Sequence, residues 1–145
     1  MSVVLNEVSK IFGKQKAVDG ISFSVGKGEI LGFLGPNGAG KSTTMKMVTG
    51  FLETDGGSIE VMGEKVQNGD VNTKKHIGYL SEANPLYYDM YVREYLQFIA
   101  QIHKIPKPKS RIEDLLSTTG LDKEANKLIG NLSKGFKQRV GLVQA

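Results

Sequence analysis

The chain has 145 residues, 39% of them hydrophobic, with nineteen Lys and Arg against fifteen Asp and Glu for a net charge of +4. That length gives one domain, or one domain and a lobe, with enough apolar material for a core, and the mild basic excess does not indicate a nucleic-acid groove. The absence of cysteine excludes a disulfide framework and a thiolate metal site, and no apolar run approaches the roughly 18 residues that span a bilayer.

The first half reads as strands and turns. Ser2 to Val8 and Ile21 to Val25 alternate in part, as half-buried strands do. Lys27-Gly28-Glu29 turns the chain into Ile30-Leu31-Gly32-Phe33-Leu34, a short, continuously apolar run that predicts a strand buried on both faces of a parallel sheet. Thr43 to Phe51 predicts a helix, with Met45, Val48 and Leu52 at helical spacing. Asp55-Gly56-Gly57-Ser58 is a turn into the strand Ile59 to Met62, Asn68-Gly69-Asp70 is a second turn, and Ile77 to Leu80 predicts a short strand. From about residue 83 the pattern becomes helical. Val92, Tyr95, Leu96, Ile99 and Ile102 share one helix face and must end before Pro106 and Pro108. Ile112, Leu115 and Leu116 repeat the pattern up to a stop at Gly120, and Asp122 is placed to cap a third segment through Leu128. Tyr91 stands where a small hydroxyl residue would complete a capping box with Glu94.

Between the predicted strand and helix lies Gly35-Pro36-Asn37-Gly38-Ala39-Gly40-Lys41-Ser42, which fits G-x-x-x-x-G-K-[ST] in the context that motif requires. Glycines let a backbone wrap a phosphate where a Cβ would collide, and the freed amides and the positive end of the following helix then point at the anion. Lys41 adds a full charge, which at about 4 Å and an effective dielectric near 20 is worth roughly 4 kcal/mol against a unit negative charge. Ser42 offers Mg²⁺ a hard oxygen. The sequence therefore predicts a nucleoside triphosphate site.

The longer string Gly35 to Thr43, GPNGAGKST, resembles the Walker A loop of ABC-type ATPases. Ile11-Phe12-Gly13 before Ala17-Val18-Asp19-Gly20-Ile21-Ser22-Phe23 resembles that family's adenine-stacking loop, and Thr54 to Ile59 its next turn and strand. Ile77 to Glu82 stands at its Q-loop, and Leu132-Ser133-Lys134-Gly135-Phe136-Lys137-Gln138-Arg139-Val140 resembles its signature. The resemblance spans essentially the whole chain. Val92 to Leu96 further resembles exporter-type subunits, including those associated with gliding motility.

The resemblance implies an α/β fold: a P-loop NTPase (RecA-like) core with an N-terminal antiparallel β portion and an α-helical subdomain, C-terminally truncated. The β-rich core with the Walker A loop is expected over 1–82, and the helical subdomain, ending in the signature helix, over 83–145. It implies ATP and Mg²⁺ as ligands. Asn37, Gly38, Ala39, Gly40, Lys41, Ser42 and Thr43 hold the phosphates, Phe12 and Val18 the base, and Ser42 and Glu82 the metal. Ser133 and Gly135 act in trans on a second, head-to-tail subunit. Phe12 offers a flat apolar face for adenine and reads equally as a core aromatic. Glu82 stands where the family has glutamine; it reads as a Mg²⁺ ligand or as a solvated loop residue. Lys134 and Phe136 replace a glycine and a glutamine of the common signature. Ser133 fits the start of a helix, an anion-binding position.

Tyr87, Tyr88, Met90 and Tyr91 read either as a contact surface for a transmembrane permease or as packing within the helical lobe. Lys104, Lys107, Lys109 and Arg111 read as a solvated basic turn, and His76 and His103 as structural or surface residues. No apolar segment followed by Asp-Glu occurs in the sequence, so the family's Walker B aspartate, catalytic glutamate and switch histidine are missing, and catalytic residues are expected to be none. The expected function is the ATP-binding subunit of an ABC transporter, cytoplasmic and peripheral at the inner face of the cell membrane through its permease, without nucleic acid. On this reading the chain itself is an N-terminal fragment that binds ATP without hydrolysing it. The alternative is a soluble ABC-type ATPase acting on ribosomes or DNA without a membrane partner, and a third reading is a binding or assembly module.

Overall fold

The structure, a computed structural model, describes residues 2–67, 69 and 71–145. Asn68 and Asp70 of the predicted second turn lie outside the described residues. The chain divides into two compact units, Met1–Gly78 and Tyr79–Ala145.

In the first unit, β1 (Val3–Phe12), β2 (Gln15–Val25), β3 (Gly56–Val61) and the short β4 (Glu64–Lys65) form an antiparallel sheet in the order β2-β1-β3-β4. Leu5 and Val8 are both buried, although residues three apart in a regular strand face opposite sides. A register shift between them, with Glu7 at φ 49°, resets the alternation in the manner of a β-bulge. Gly57 makes this possible, because a Cβ there would collide with the Asn6 and Glu7 backbone. Helix α1 (Lys41–Val48) supplies Met47 to a core with Leu5, Val8, Val18 and Ile59. Its buried residues are Thr44 and Met47, with Val48 and Leu52 packed at the edge. Met45, expected on that face, is exposed. A short α2 (Val71–Lys74) completes the unit.

Two predicted strands are absent. Ile30 to Leu34 is not a strand, and Ile30 and Leu34 are 96% and 91% exposed. The reason is that strand formation needs a partner ladder, and the backbone of this run hydrogen-bonds to none of the described residues. Phe33 packs against the Phe23 ring, the centroids 5.5 Å apart. Ile77 to Leu80 is likewise irregular; among the described residues its backbone makes one bond, from the Ile77 amide to the Lys74 carbonyl at 3.2 Å.

The second unit is helical. Helices α3 (Val92–Ile102), α4 (Pro108–Thr118) and α5 (Lys134–Gln144) enclose a core that includes Val92, Tyr95, Leu96, Ile112, Leu116, Leu121, Ile129 and Val140. The predicted face of α3 is the inward one: Val92, Tyr95 and Leu96 are buried and Ile99 is partly buried against them, while its last member, Ile102, is 57% exposed. At the start of α3 the Glu94 carboxylate accepts a hydrogen bond from the Tyr91 amide at 3.2 Å. Helix α4 stops as expected at Gly120, whose φ of 66° lets the Leu121 amide reach back to the Leu116 carbonyl at 2.8 Å, a Schellman closure. The predicted third helix does not form. Asp122 opens a single 3-10 turn, Asp122–Glu124, without a side-chain cap, and a second turn covers Ile129–Asn131. Leu121, Ala125 and Ile129 are fully buried, a four-residue spacing that two tight turns satisfy without a continuous helix.

Candidate nucleotide-binding site

The glycine loop leads directly into α1. Gly38 and Gly40 have φ of 85° and 82°, backbone states that L-residues with a Cβ adopt only at a cost of about 1–2 kcal/mol. Gly40 is doubly constrained, since a Cβ there would collide with the Ala17 carbonyl oxygen and lie 3.0 Å from Val18 Cγ2. The loop is therefore seated on β2 by absence of side chain. Within it, the Ala39 amide bonds the Pro36 carbonyl at 3.2 Å, and Lys41 Nζ donates to the carbonyls of Gly35 at 2.6 Å and Pro36 at 2.7 Å. At the start of α1, Thr44 N and Oγ1 both donate to the Gly40 carbonyl, at 2.8 and 3.0 Å.

Among the described residues the amides of Gly38, Gly40, Lys41, Ser42 and Thr43 donate to no protein acceptor. They are the orphan donors of a helix start, aimed where the macrodipole is positive and joined by the Lys41 ammonium. This donor set fits a polyphosphate. A metal would follow from the phosphates: Mg²⁺ takes one or two protein oxygens and completes its shell with phosphate and water, and the exposed Ser42 hydroxyl is an oxygen of that kind at the start of α1. Bound there, Mg²⁺ would neutralise phosphate charge. Among the described residues no group of three or more His, Asp or Glu forms a self-sufficient metal site.

Phe12 stands at the end of β1, 51% exposed, with its ring open and Lys10 Nζ at 5.8 Å from the centroid. Val18, expected beside it, is instead a core residue at 6% exposure, paired with Lys10 across the sheet and lying beneath Gly40. Burial among Leu5, Val8 and Met47 is the stronger demand on a β-branched apolar side chain. A residue that the motif reading missed is Asp55. Its carboxylate accepts from the Ile11 amide at 2.6 Å and from Lys10 Nζ at 2.9 Å, tying the base of the Phe12 loop to the turn before β3. Those two bonds, the Ile11 amide first, hold the Asp55 carboxyl below its usual range. The signal in the sequence was only an Asp before two glycines.

The signature residues lie in the second unit. Ser133 is the N-cap of α5, its Oγ accepting from the Phe136 amide at 3.4 Å. A Cβ at Gly135 would meet nothing within 4 Å, so the backbone of the first turn is open to approach. Phe136 packs against the helical core, with the Arg139 guanidinium 5.3 Å from its ring. Glu82, also in this unit, is exposed. Two positions on, Asn84 is buried, and its Nδ2 donates to the Lys137 carbonyl at 2.7 Å. Tyr87, Tyr88 and Tyr91 are about half exposed. Tyr87 packs edge-on to Tyr95 at 5.8 Å, and Lys137 Nζ lies 4.9 Å from the Tyr88 ring centroid. His76 and His103 are exposed.

A glycine loop seated on a strand, opening a helix whose first amides are free beneath a lysine, defines a P-loop nucleotide-binding protein. The family model described as ABC transporter matches residues 18–145, and the chain belongs to that family. It is 38% identical over its whole length to the bacitracin transport ATP-binding protein BcrA of Bacillus licheniformis, covering 48% of that protein. It is 37% identical over 97% of its length to the SkfA peptide export ATP-binding protein SkfE of Bacillus subtilis, covering 59% of it. The chain thus spans about half the length of the curated relatives it matches. Among solved structures, an ATP-binding subunit of an ABC transporter superposes with a TM-score of 0.87 at 28% identity, over all of this chain and 61% of that one. The dimeric bacterial ABC transporter cassette MJ0796 shares the fold, with a TM-score of 0.83 at 22% identity, over 98% of this chain and 68% of that one.

Proposed function

We propose that the chain is the part of an ABC transporter's ATP-binding subunit that binds Mg-ATP and does not turn it over by itself. The observation that carries this is the loop Gly35–Ser42, where free amides, a glycine-only backbone and the Lys41 ammonium converge. Gly38, Gly40 and Lys41 hold the β- and γ-phosphates, with Asn37, Ala39 and Thr43 completing the loop, and Ser42 holds Mg²⁺. Phe12 stacks the base, and Val18 supports the loop from below. Glu82 is the candidate second metal ligand. The open, Ser133-capped start of α5 with Gly135 is suited to the γ-phosphate held by a second subunit, head to tail. In the whole protein, ATP binding and hydrolysis then drive a transmembrane permease, which places the subunit peripherally at the inner face of the cell membrane. The resemblance of Val92 to Leu96 favours an exporter-type system.

The absence from the sequence of an apolar run ending in Asp-Glu supports binding without turnover, because that pair supplies the carboxylate that positions water in such sites and Glu82 does not replace it. Calorimetric titration of the 145-residue chain with Mg-ATP is expected to show one saturable site, lost in Lys41→Ala. Steady-state phosphate release is expected to stay at background. Binding that survives Lys41→Ala in a folded chain overturns the site assignment, and turnover abolished by the same substitution overturns the division of labour.

A further inference from the structure

The chain's charge is not spread evenly. From Tyr95 to Ile112 there is no Asp or Glu, while Lys104, Lys107, Lys109 and Arg111 all fall there. The remainder holds fifteen basic and fifteen acidic residues, so the entire net charge of +4 resides in this one segment. Structurally the cations lie on the connection between α3 and α4, which carries Lys104 and Lys107, and on the first turn of α4, which carries Lys109 and Arg111. Every residue from Gln101 to Lys107 is exposed, including two large apolar side chains, Ile102 at 57% and Ile105 at 41%. Among the described residues none of the four cations makes an ion pair. The nearest acids that follow are Glu113, already paired with Arg93, and Asp114.

The connection is also held in shape. The Ile105 amide reaches back to the Ala100 carbonyl at 2.9 Å, Pro106 and Pro108 fix their own dihedrals, and Lys104 and Lys107 both have left-handed φ, 52° and 50°. The result is a stiff, solvent-facing knuckle that presents unpaired cations beside bare isoleucines.

We propose that this knuckle binds an anionic membrane surface directly, lysines and arginine at the headgroups and Ile102 and Ile105 in the interfacial layer. Clustered Lys and Arg are drawn to anionic lipid, and exposed aliphatic side chains gain by entering the headgroup boundary. Nucleic acid fits less well. Single strands are held by aromatic stacking platforms, and no Phe, Tyr or Trp occurs between Ile99 and Gly120. Such a contact is additional to any permease docking and does not depend on nucleotide binding.

The test is flotation of the full chain with vesicles of neutral phosphatidylcholine, and with vesicles carrying about 30% phosphatidylglycerol, at low and high salt. Binding is expected on the anionic vesicles only, with release at high salt. It should fall at least about tenfold in a Lys104→Gln, Lys107→Gln, Lys109→Gln, Arg111→Gln variant, and several-fold in Ile102→Ser with Ile105→Ser. A charge-matched control, with Lys14, Lys27, Lys65 and Lys75 all changed to Gln, should keep binding, and circular dichroism confirms that each variant is folded. Loss in the control equal to that in the loop variant overturns the proposal, as does equal binding to neutral vesicles or none to either. Charge-dependent binding to poly(U) in place of vesicles reassigns the knuckle to nucleic acid and overturns it too.

Discussion

At the residue scale, the site rests on residues whose roles differ in kind. In the proposed site Lys41 and Ser42 act through their side chains, and their type and spacing alone point to phosphate and metal chemistry. Gly40 acts through having none, and why it must be glycine became clear only when Ala17 and Val18 were found against it. Asp55 was silent in the sequence because its partners, Ile11 and Lys10, are more than forty residues away. Its carboxyl is depressed by the Ile11 amide and by Lys10, so the folded state favours the ionised form. The sign follows: this contribution to stability is complete well above a normal carboxylate pKa of about 4 and is lost as pH falls through the lowered folded value. Comparing urea unfolding of the wild type and Asp55→Asn from pH 7 downward should show the largest gap near neutrality, closing on acidification. A gap independent of pH would mean that the ionisation of Asp55 is not the source of its contribution.

At the element scale, helices were more legible than strands. The faces of α3 and α4 follow from a 3.6-residue period that needs no knowledge of partners, and Gly120 closes α4 by a local backbone rule. Strands need ladders, and Ile30 to Leu34 has the composition of one without the neighbour. The segment Asp122 to Leu128 went the other way, an acceptable cap position overridden by distant backbone partners: the Ala125 and Lys127 carbonyls accept from the Arg93 and Val92 amides, and the Ile129 amide donates to the Met90 carbonyl. Helix α5 shows a contact the pattern did not reveal. Asn84 bonds the Lys137 carbonyl, and a Cβ on Gly141 would run into the Asn84 side chain, so loop and helix interlock. Asn84→Ala should cost about 1–3 kcal/mol by removing this buried bond. Hydrogen exchange should rise in the loop 81–84 and in α5. Unchanged exchange there would mean the bond contributes little.

At the scale of the whole molecule, the apolar material divides between two cores, one built on the sheet and α1 and one on α3, α4 and α5, while the most apolar run of the chain stays outside both. Ile30 and Leu34 exposed together are an association hazard. Sedimentation of the purified chain should show self-association that rises with concentration and is reduced in Ile30→Ser with Leu34→Ser; no change would place the sticky surface elsewhere. What the sequence by itself determined is whatever depends on neighbours along the chain: the phosphate loop, the helix faces, the stop at Gly120, the cap at Ser133 and the family those motifs define. What only the tertiary structure decided is whatever depends on distant partners: the bulge that keeps Leu5 and Val8 on one face, the burial of Val18, the Asp55 and Asn84 ties, and the fate of Ile30 to Leu34. A strand is completed by hydrogen bonds to another segment and a core position by side chains from elsewhere, and neither is written in the residues that occupy it.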